Sequence, residues 1–242
     1  MAAADRLAMP AIQSSAYRSM ARAHLQLGAH AEAHTHLRHA LTLGILADHR
    51  AEQADTHQVL SWVLERLGRH AEAFHHIRQA LRLYLADGHP AGEAYALNTI
   101  GWFEALLGHH HRAMTYCHRG LRLHQELNIR DGQACAWHTL GYAHQRLGQV
   151  TQALTCYQHA LSIFRDTGDT YYYGATLHGI GDTHHAAGNV DAARDNWEQA
   201  LIVLTDLAHP DADRVRTKLE RERPQGTVVV PPLSTSDMSR SP

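Results

Sequence analysis

Histidine is the residue type that first invites a chemical reading of this 242-residue chain, which carries 23 of them. Runs stand at His109, His110 and His111, at His75 and His76, and at His184 and His185. Imidazole is the commonest metal ligand among side chains. The spacing argues against a metal centre. Adjacent residues on a helix point about 100° apart, whereas a helical ligand pair stands four residues apart. Only His178 and Asp182, with His185 one turn on, approach that pattern, and no HExxH or Cys/His constellation is present. The reading is therefore of exposed, polar helix-surface histidines, with no metal and no cofactor. Such groups charge below pH about 6.5. With a formal net charge of −2, the chain is expected to be least soluble near neutral pH and strongly cationic in acid.

Catalytic constellations are equally thin. Cys135 precedes His138, and Cys156 precedes His159, by three residues, a coincidence to be expected among so many histidines. There is no GxSxG, no GxxxxGK[ST], and no GxGxxG following a strand. No catalytic residue is assigned, and the chain is read as a binding protein, not an enzyme. With 22 basic and 24 acidic side chains and no basic stripe, direct nucleic-acid binding is not expected. All the basic residues but Lys218 are arginine, a bias that fits a high-GC bacterial genome. The three cysteines, Cys117, Cys135 and Cys156, have no paired spacing, which favours a reduced, cytoplasmic chain. The opening MAAADRLAMP has no apolar core of a signal peptide, and nowhere do 18 apolar residues run together.

The elements that position these residues follow a repeat. Glycine recurs at Gly28, Gly68, Gly108, Gly148 and Gly188, each 40 residues from the last. Alanine follows five residues later in every copy, at Ala33, Ala73, Ala113, Ala153 and Ala193. Seven further on stand Ala40, Ala80, Gly120, Ala160 and Ala200, each followed by leucine. An apolar anchor precedes each glycine by eight residues: Met20, Leu60, Ile100, Leu140 and Ile180. Apolar and small residues recur at helical spacing on both sides of the glycine, so each copy is two amphipathic helices. The glycine supplies the left-handed residue that closes the first helix. The alanines let helix faces approach, and Leu37, Ile77, Cys117, Tyr157 and Trp197 fill the space between the two helices of a pair. One pair cannot bury its apolar stripe alone, so the copies must stack.

The segment from Leu140 to Leu161, LGxxHxRLGQxxxALxxYxxAL, resembles the tetratricopeptide consensus at Trp137, Leu140, Gly141, Gly148, Ala153, Tyr157 and Ala160. The resemblance covers roughly residues 14–207 and implies an all-α, right-handed solenoid of five helix pairs. It departs from the pattern where His24, Leu64, Glu104, His144 and His184 replace the usual tyrosine. The 40-residue period also exceeds the familiar 34, and the extra six residues are expected to lengthen the second helix and its exit loop. The units further resemble the C-terminal repeat domains of the SARP/AfsR type of actinobacterial transcriptional regulators. That likeness implies a sensor or protein-binding module. A stand-alone peptide-signal receptor, resembling the Rap-like receptors, is the second reading.

The repeats divide at about 14–53, 54–93, 94–133, 134–173 and 174–207. Residues 208–223 read as a polar capping helix, and 224–242, rich in Pro, Ser and Thr, as a disordered tail. The stretch ADRLAMPAIQSSAY matches ADHRAEQADTH in register, so residues 1–13 read as the remnant of a preceding repeat.

In such stacks the first helices line the concave surface. The residues two columns before the apolar anchor are Arg18, Gln58, Asn98, His138 and His178, and those two columns after it are Arg22, Trp62, Trp102, Tyr142 and Asp182. Paired members are four apart and share a face. Trp62, Trp102 and Tyr142 then form an aromatic ladder with rungs about 8–10 Å apart, matching every third residue of an extended peptide. Gln58 and Asn98 offer amides to its backbone, and Arg18 and Arg22 suit a carboxylate. His178, Asp182 and His185 close the C-terminal end. The expected ligand of these ten column residues is a protein or peptide segment.

Overall fold

The computed structural model describes residues 2–222 as eleven helices, with no strand among the described residues. They are α1 (Ala2–Gln26), α2 (His30–Leu46), α3 (Arg50–Arg66), α4 (His70–Ala86), α5 (Pro90–Leu106) and α6 (His110–Glu126), followed by α7 (Arg130–Arg146), α8 (Val150–Thr167), α9 (Thr170–Ala186), α10 (Val190–Asp206) and α11 (Asp211–Arg221). The all-α solenoid of five pairs and a closing helix is as expected. The tail 224–242 lies outside the described residues.

The columns do the packing work assigned to them. Ala33, Ala73, Ala113, Ala153 and Ala193 are wholly buried, as are Leu37, Ile77, Cys117, Tyr157 and Trp197 between the helices of each pair. Where Tyr157 and Trp197 cross the first helix, a Cβ at Gly141 or Gly181 would lie 2.7 Å or 2.4 Å from the ring. The glycine and the aromatic side chain are one packing unit. Buried clusters join successive pairs, for example Leu64, Ile77, Ile100 and Phe103, and Ala153, Tyr157 and Ile180. Burying each large side chain contributes on the order of 1.5–3 kcal/mol, so every joint depends on its neighbours. Met20 differs from the other anchors in being 47% exposed, because no helix pair precedes it among the described residues.

The extra length of the repeat is distributed differently from the expectation. From α3 onward most helices, first and second alike, are 17 residues long, and most turns are three residues. The second helix is not selectively lengthened. The reason is a second column of left-handed residues, midway between the glycines: Asp48, Gly88, Asn128, Gly168 and Ala208 all have positive φ. Both turns close alike. Arg69 N–H donates to Leu64 O at 2.8 Å, and Ile129 N–H donates to His124 O at 2.8 Å, the six-to-one bond of a Schellman ending. The chain therefore turns every 20 residues with one local device, as the spacing of these positions shows.

At the N-terminus, α1 runs unbroken from Ala2 to Gln26 with Pro10 inside it. No turn separates residues 2–13 from the first repeat helix. At the other end, α11 spans 211–221 and buries Ala212 and Val215 against Leu177, Trp197 and Leu204, covering the last apolar face.

Candidate ligand-binding surface on the inner face

Contacts between alternate helices fix which side is inner. α1 touches α3, α3 touches α5, α5 touches α7 and α7 touches α9. The odd-numbered helices thus crowd together and line the inside of the bend. This places both predicted columns on one surface.

The first column is tied up within the protein. Arg18 is held by Glu52 at 2.5 Å and Asp55 at 3.4 Å. Gln58 accepts from the Tyr84 hydroxyl at 3.0 Å, which also meets Asp55 at 2.8 Å. Asn98 accepts from the Cys117 thiol at 3.6 Å. His138 Nδ1 lies 2.9 Å from Thr176 Oγ1. The threonine donates its own proton to Tyr172 O at 2.7 Å, so the imidazole N–H donates to it. Burial pushes His138 down to about 4, which keeps it neutral. His178 contacts Lys218 at 2.8 Å. Each of these five residues has a polar atom engaged by another helix: Gln58 and Asn98 within their own pair, Arg18, His138 and His178 across to the next odd-numbered helix.

The second column divides into an open end and a closed end. Arg22 is exposed, and Trp62 is 41% exposed. Trp102 donates from Nε1 to Glu65 at 3.0 Å, and its ring packs 5.3 Å from Tyr142 and 6.3 Å from His138. Two rungs of the expected ladder, Trp102 and Tyr142, are therefore in contact. At the far end Asp182 receives Lys218 Nζ at 2.5 and 2.6 Å and the Trp197 indole at 2.9 Å. His185 meets Glu222 at 3.1 Å. Lys218, the sole lysine of the chain, thus draws α11 onto His178 and Asp182, and the C-terminal part of the surface is covered by the chain itself.

Four further residues shape the surface and were not singled out from the sequence: Glu65, Arg66, Tyr171 and Tyr172. The Arg66 guanidinium lies 5.7 Å from the Tyr171 ring. Tyr171 packs on His209 at 4.4 Å and reaches Asp211 at 3.3 Å, while Tyr172 stacks on Phe164 at 5.2 Å. The signal available was a break in register. The column Ala11, Ala51, Ala91, Asp131 turns to Tyr171 within the run Tyr171–Tyr172–Tyr173.

The histidines are less uniformly superficial than their number suggested. His76 does not act with His75; its Nδ1 lies 2.7 Å from His57 Nδ1, and burial pushes both rings down to about 4. His124 is wholly buried. His109 reaches back to Glu104 at 2.8 Å. His49 and His89 accept from the backbone N–H of Glu52 and Gly92 at 3.4 and 2.9 Å, capping α3 and α5. Among the described residues no group of three or more His, Cys, Asp or Glu is placed to hold a metal ion. None of the helices is long and apolar enough to cross a membrane.

The tetratricopeptide repeat pattern matches residues 12–86 and 132–205. The chain belongs to the tetratricopeptide repeat family. Among curated proteins none matches it. Solved structures of the same architecture include BtubC (BKLC) from P. vanneervenii, at 18% identity and a TM-score of 0.60, covering 93% of this chain and 95% of that one. A Rap protein complexed with Competence and Sporulation Factor matches at 16% identity and a TM-score of 0.73. The match covers 86% of this chain but 57% of the Rap chain. A putative kinesin light chain from Podosopora anserina, with nearly identical TPR-like repeats, matches at 16% identity and a TM-score of 0.59 over 81% of this chain and 96% of that one. At these identities the likeness is one of fold.

Proposed function

We propose that this tetratricopeptide repeat protein is a binding scaffold, without catalysis of its own, that takes an extended protein segment on its inner face. The exposed indole of Trp62, beside Arg22 and the Trp102–Tyr142 pair, carries the reading. Large exposed aromatic side chains in the middle of a concave surface are costly unless something covers them. The ligand is held at the end built by the first repeats, because Lys218 and α11 cover His178 and Asp182 at the other. Arg22 then pairs with an acidic group of the segment, and Trp62 with an apolar side chain about three residues along. The register resemblance to SARP/AfsR-type repeat domains supports reading the module as a cytoplasmic sensor or docking part of bacterial transcriptional regulation. The experiment is affinity capture from the native host with the wild type and a Trp62→Ala/Trp102→Ala variant. Loss of the captured protein in the variant is the predicted result; equal recovery removes the inner-face assignment.

A second reading is a receptor for a short secreted or processed peptide. The likeness to a Rap protein complexed with Competence and Sporulation Factor, over 86% of this chain, favours it. It differs in the source of the segment, not in the surface that takes it. Captured ligands of peptide size, in place of an intact protein, decide for it.

A further inference from the structure

On the outer side of the stack, between α4 and α6, lies a cavity of about 280 Å³ floored by Ile100 and Glu104 of α5. Its walls bring together three guanidinium groups, Arg78 and Arg82 from α4 and Arg112 from α6, with the Phe74 and Tyr116 rings. The repeat register shows how unusual this is. The positions of Arg78, Arg82 and Arg112 are Arg38, Thr42 and Glu72 one copy earlier. They are His118, Arg122 and Gln152 one copy later, and Gln158, Ser162 and Ala192 after that. No other crevice of the stack presents three arginines in these columns.

Glu104 explains how the charges are arranged. It occupies the column in which His144 and His184 place rings. Its carboxylate, with a side chain only 2% exposed, receives Arg112 at 2.9 Å and His109 at 2.8 Å. Its charge is spent on Arg112, which it orients. Arg78 and Arg82, four apart on one face of α4, have no carboxylate partner among the described residues. Arg78 lies 5.9 Å from the Phe74 ring, and Arg82 donates to the Gln79 amide oxygen at 3.5 Å. Two guanidinium forks without a carboxylate partner thus line a recess whose floor joins the Ile100 side chain to the carboxylate that Glu104 already shares with Arg112.

We propose that this cavity is a binding site for a small organic anion, a carboxylate joined to an aromatic body. The carboxylate meets Arg78 and Arg82, whose planar forks suit two-oxygen recognition. The aromatic body sits over Ile100 and Leu81 between the Phe74 and Tyr116 rings. The volume is near the lower limit of ligand sites, roughly 300–1,000 Å³, and so selects a ligand of one or two rings. The site is on the opposite side from Trp62 and does not depend on the inner-face reading.

The test is calorimetric titration of the full chain with naphthalene-2-carboxylate at pH 8, where histidine charge is small. The wild type is expected to bind one equivalent with a Kd below about 1 mM. Arg78→Gln/Arg82→Gln is expected to weaken binding at least tenfold, and so is replacing the probe by uncharged 2-naphthalenemethanol. Arg38→Gln/Arg122→Gln, which removes the same charge elsewhere on the outer side, is expected to leave binding unchanged. All four arginines are exposed on helix surfaces, so a matched unfolding temperature confirms that each variant is folded. No saturable binding by the wild type, equal binding by Arg78→Gln/Arg82→Gln, equal binding of the alcohol, or equal loss in the control variant overturns the proposal.

Discussion

Arg66 at the end of α3 places its guanidinium 5.7 Å from the ring of Tyr171 at the start of α9, joining the second helix pair to the fifth across the inner face. Alternate first helices already crowd together on that side, and this contact spans further than any of theirs. Tyr171 is in turn braced by His209 and Asp211. The curvature of the solenoid is thereby pinned at one point, next to the Glu65 that holds Trp102.

Releasing that point is expected to loosen α9 with little loss of global stability. An exposed cation–π contact contributes about 0.5–1 kcal/mol. Arg66→Gln should therefore lower the unfolding temperature slightly while accelerating amide hydrogen exchange over residues 170–176. Unchanged exchange there would mean that the contact has no part in holding the curvature.

The C-terminal closure rests on a stronger interaction. Lys218 makes two short bonds to Asp182, both side chains being about 30% exposed (31% and 28%). Charge-assisted bonds of this kind contribute roughly 1.5–3 kcal/mol, less with partial solvent screening. Lys218→Met should make α11 the first segment cleaved in limited proteolysis and leave the first four pairs intact. Persistence of α11 under those conditions would show that Ala212 and Val215 hold it unaided.

Ala208 adopts φ of 50°, in a column that elsewhere uses Gly88 and Gly168. A Cβ in the left-handed region costs roughly 1–2 kcal/mol. Ala208→Gly should raise stability by about 1 kcal/mol in urea unfolding. A destabilised variant would contradict the view that this turn repeats the device of the others.

Acid sensitivity follows from the buried imidazoles. His57, His76, His124 and His138 are held at about 4, mainly by burial, against an unfolded value near 6.5. The unfolded chain therefore binds more protons across this interval. The stability these groups contribute is complete above pH 6.5 and falls as pH drops from 6.5 through 4, by up to about 1.4 kcal/mol per unit for each. His124 is the clearest case, because neither ring nitrogen has a partner among the described residues. His124→Phe, matching Phe164 in the same column, should raise the unfolding temperature at pH 7 and flatten its decline toward pH 5. A variant that loses stability at pH 7, or declines as steeply as the wild type, would contradict this.

Much of this was legible in the sequence for a physical reason. Packing between a glycine and a large ring, as at Gly141 and Tyr157 or Gly181 and Trp197, is local to one helix pair and recurs with the period. The second turn was hidden because Asp48, Gly88, Asn128, Gly168 and Ala208 share a backbone conformation rather than a residue type. Both inner-face columns fall on the odd-numbered helices. Which members stay open was not legible, since Arg18, Gln58, Asn98, His138 and His178 are engaged by partners on other helices whose side-chain reach no column reveals. The same limit hid Arg66 and Tyr171, and the pairing of His76 with His57 in place of its neighbour His75.

The central claim is that ligand meets the protein at the open end of the inner face. Photo-crosslinking tests it most directly, with p-benzoylphenylalanine placed at Trp62 or, on the outer side, at Leu85, which is 52% exposed. In cells of the native host, the account predicts a discrete adduct from position 62 and none from position 85. An adduct of the same protein from position 85 alone, or equally from both, would contradict it.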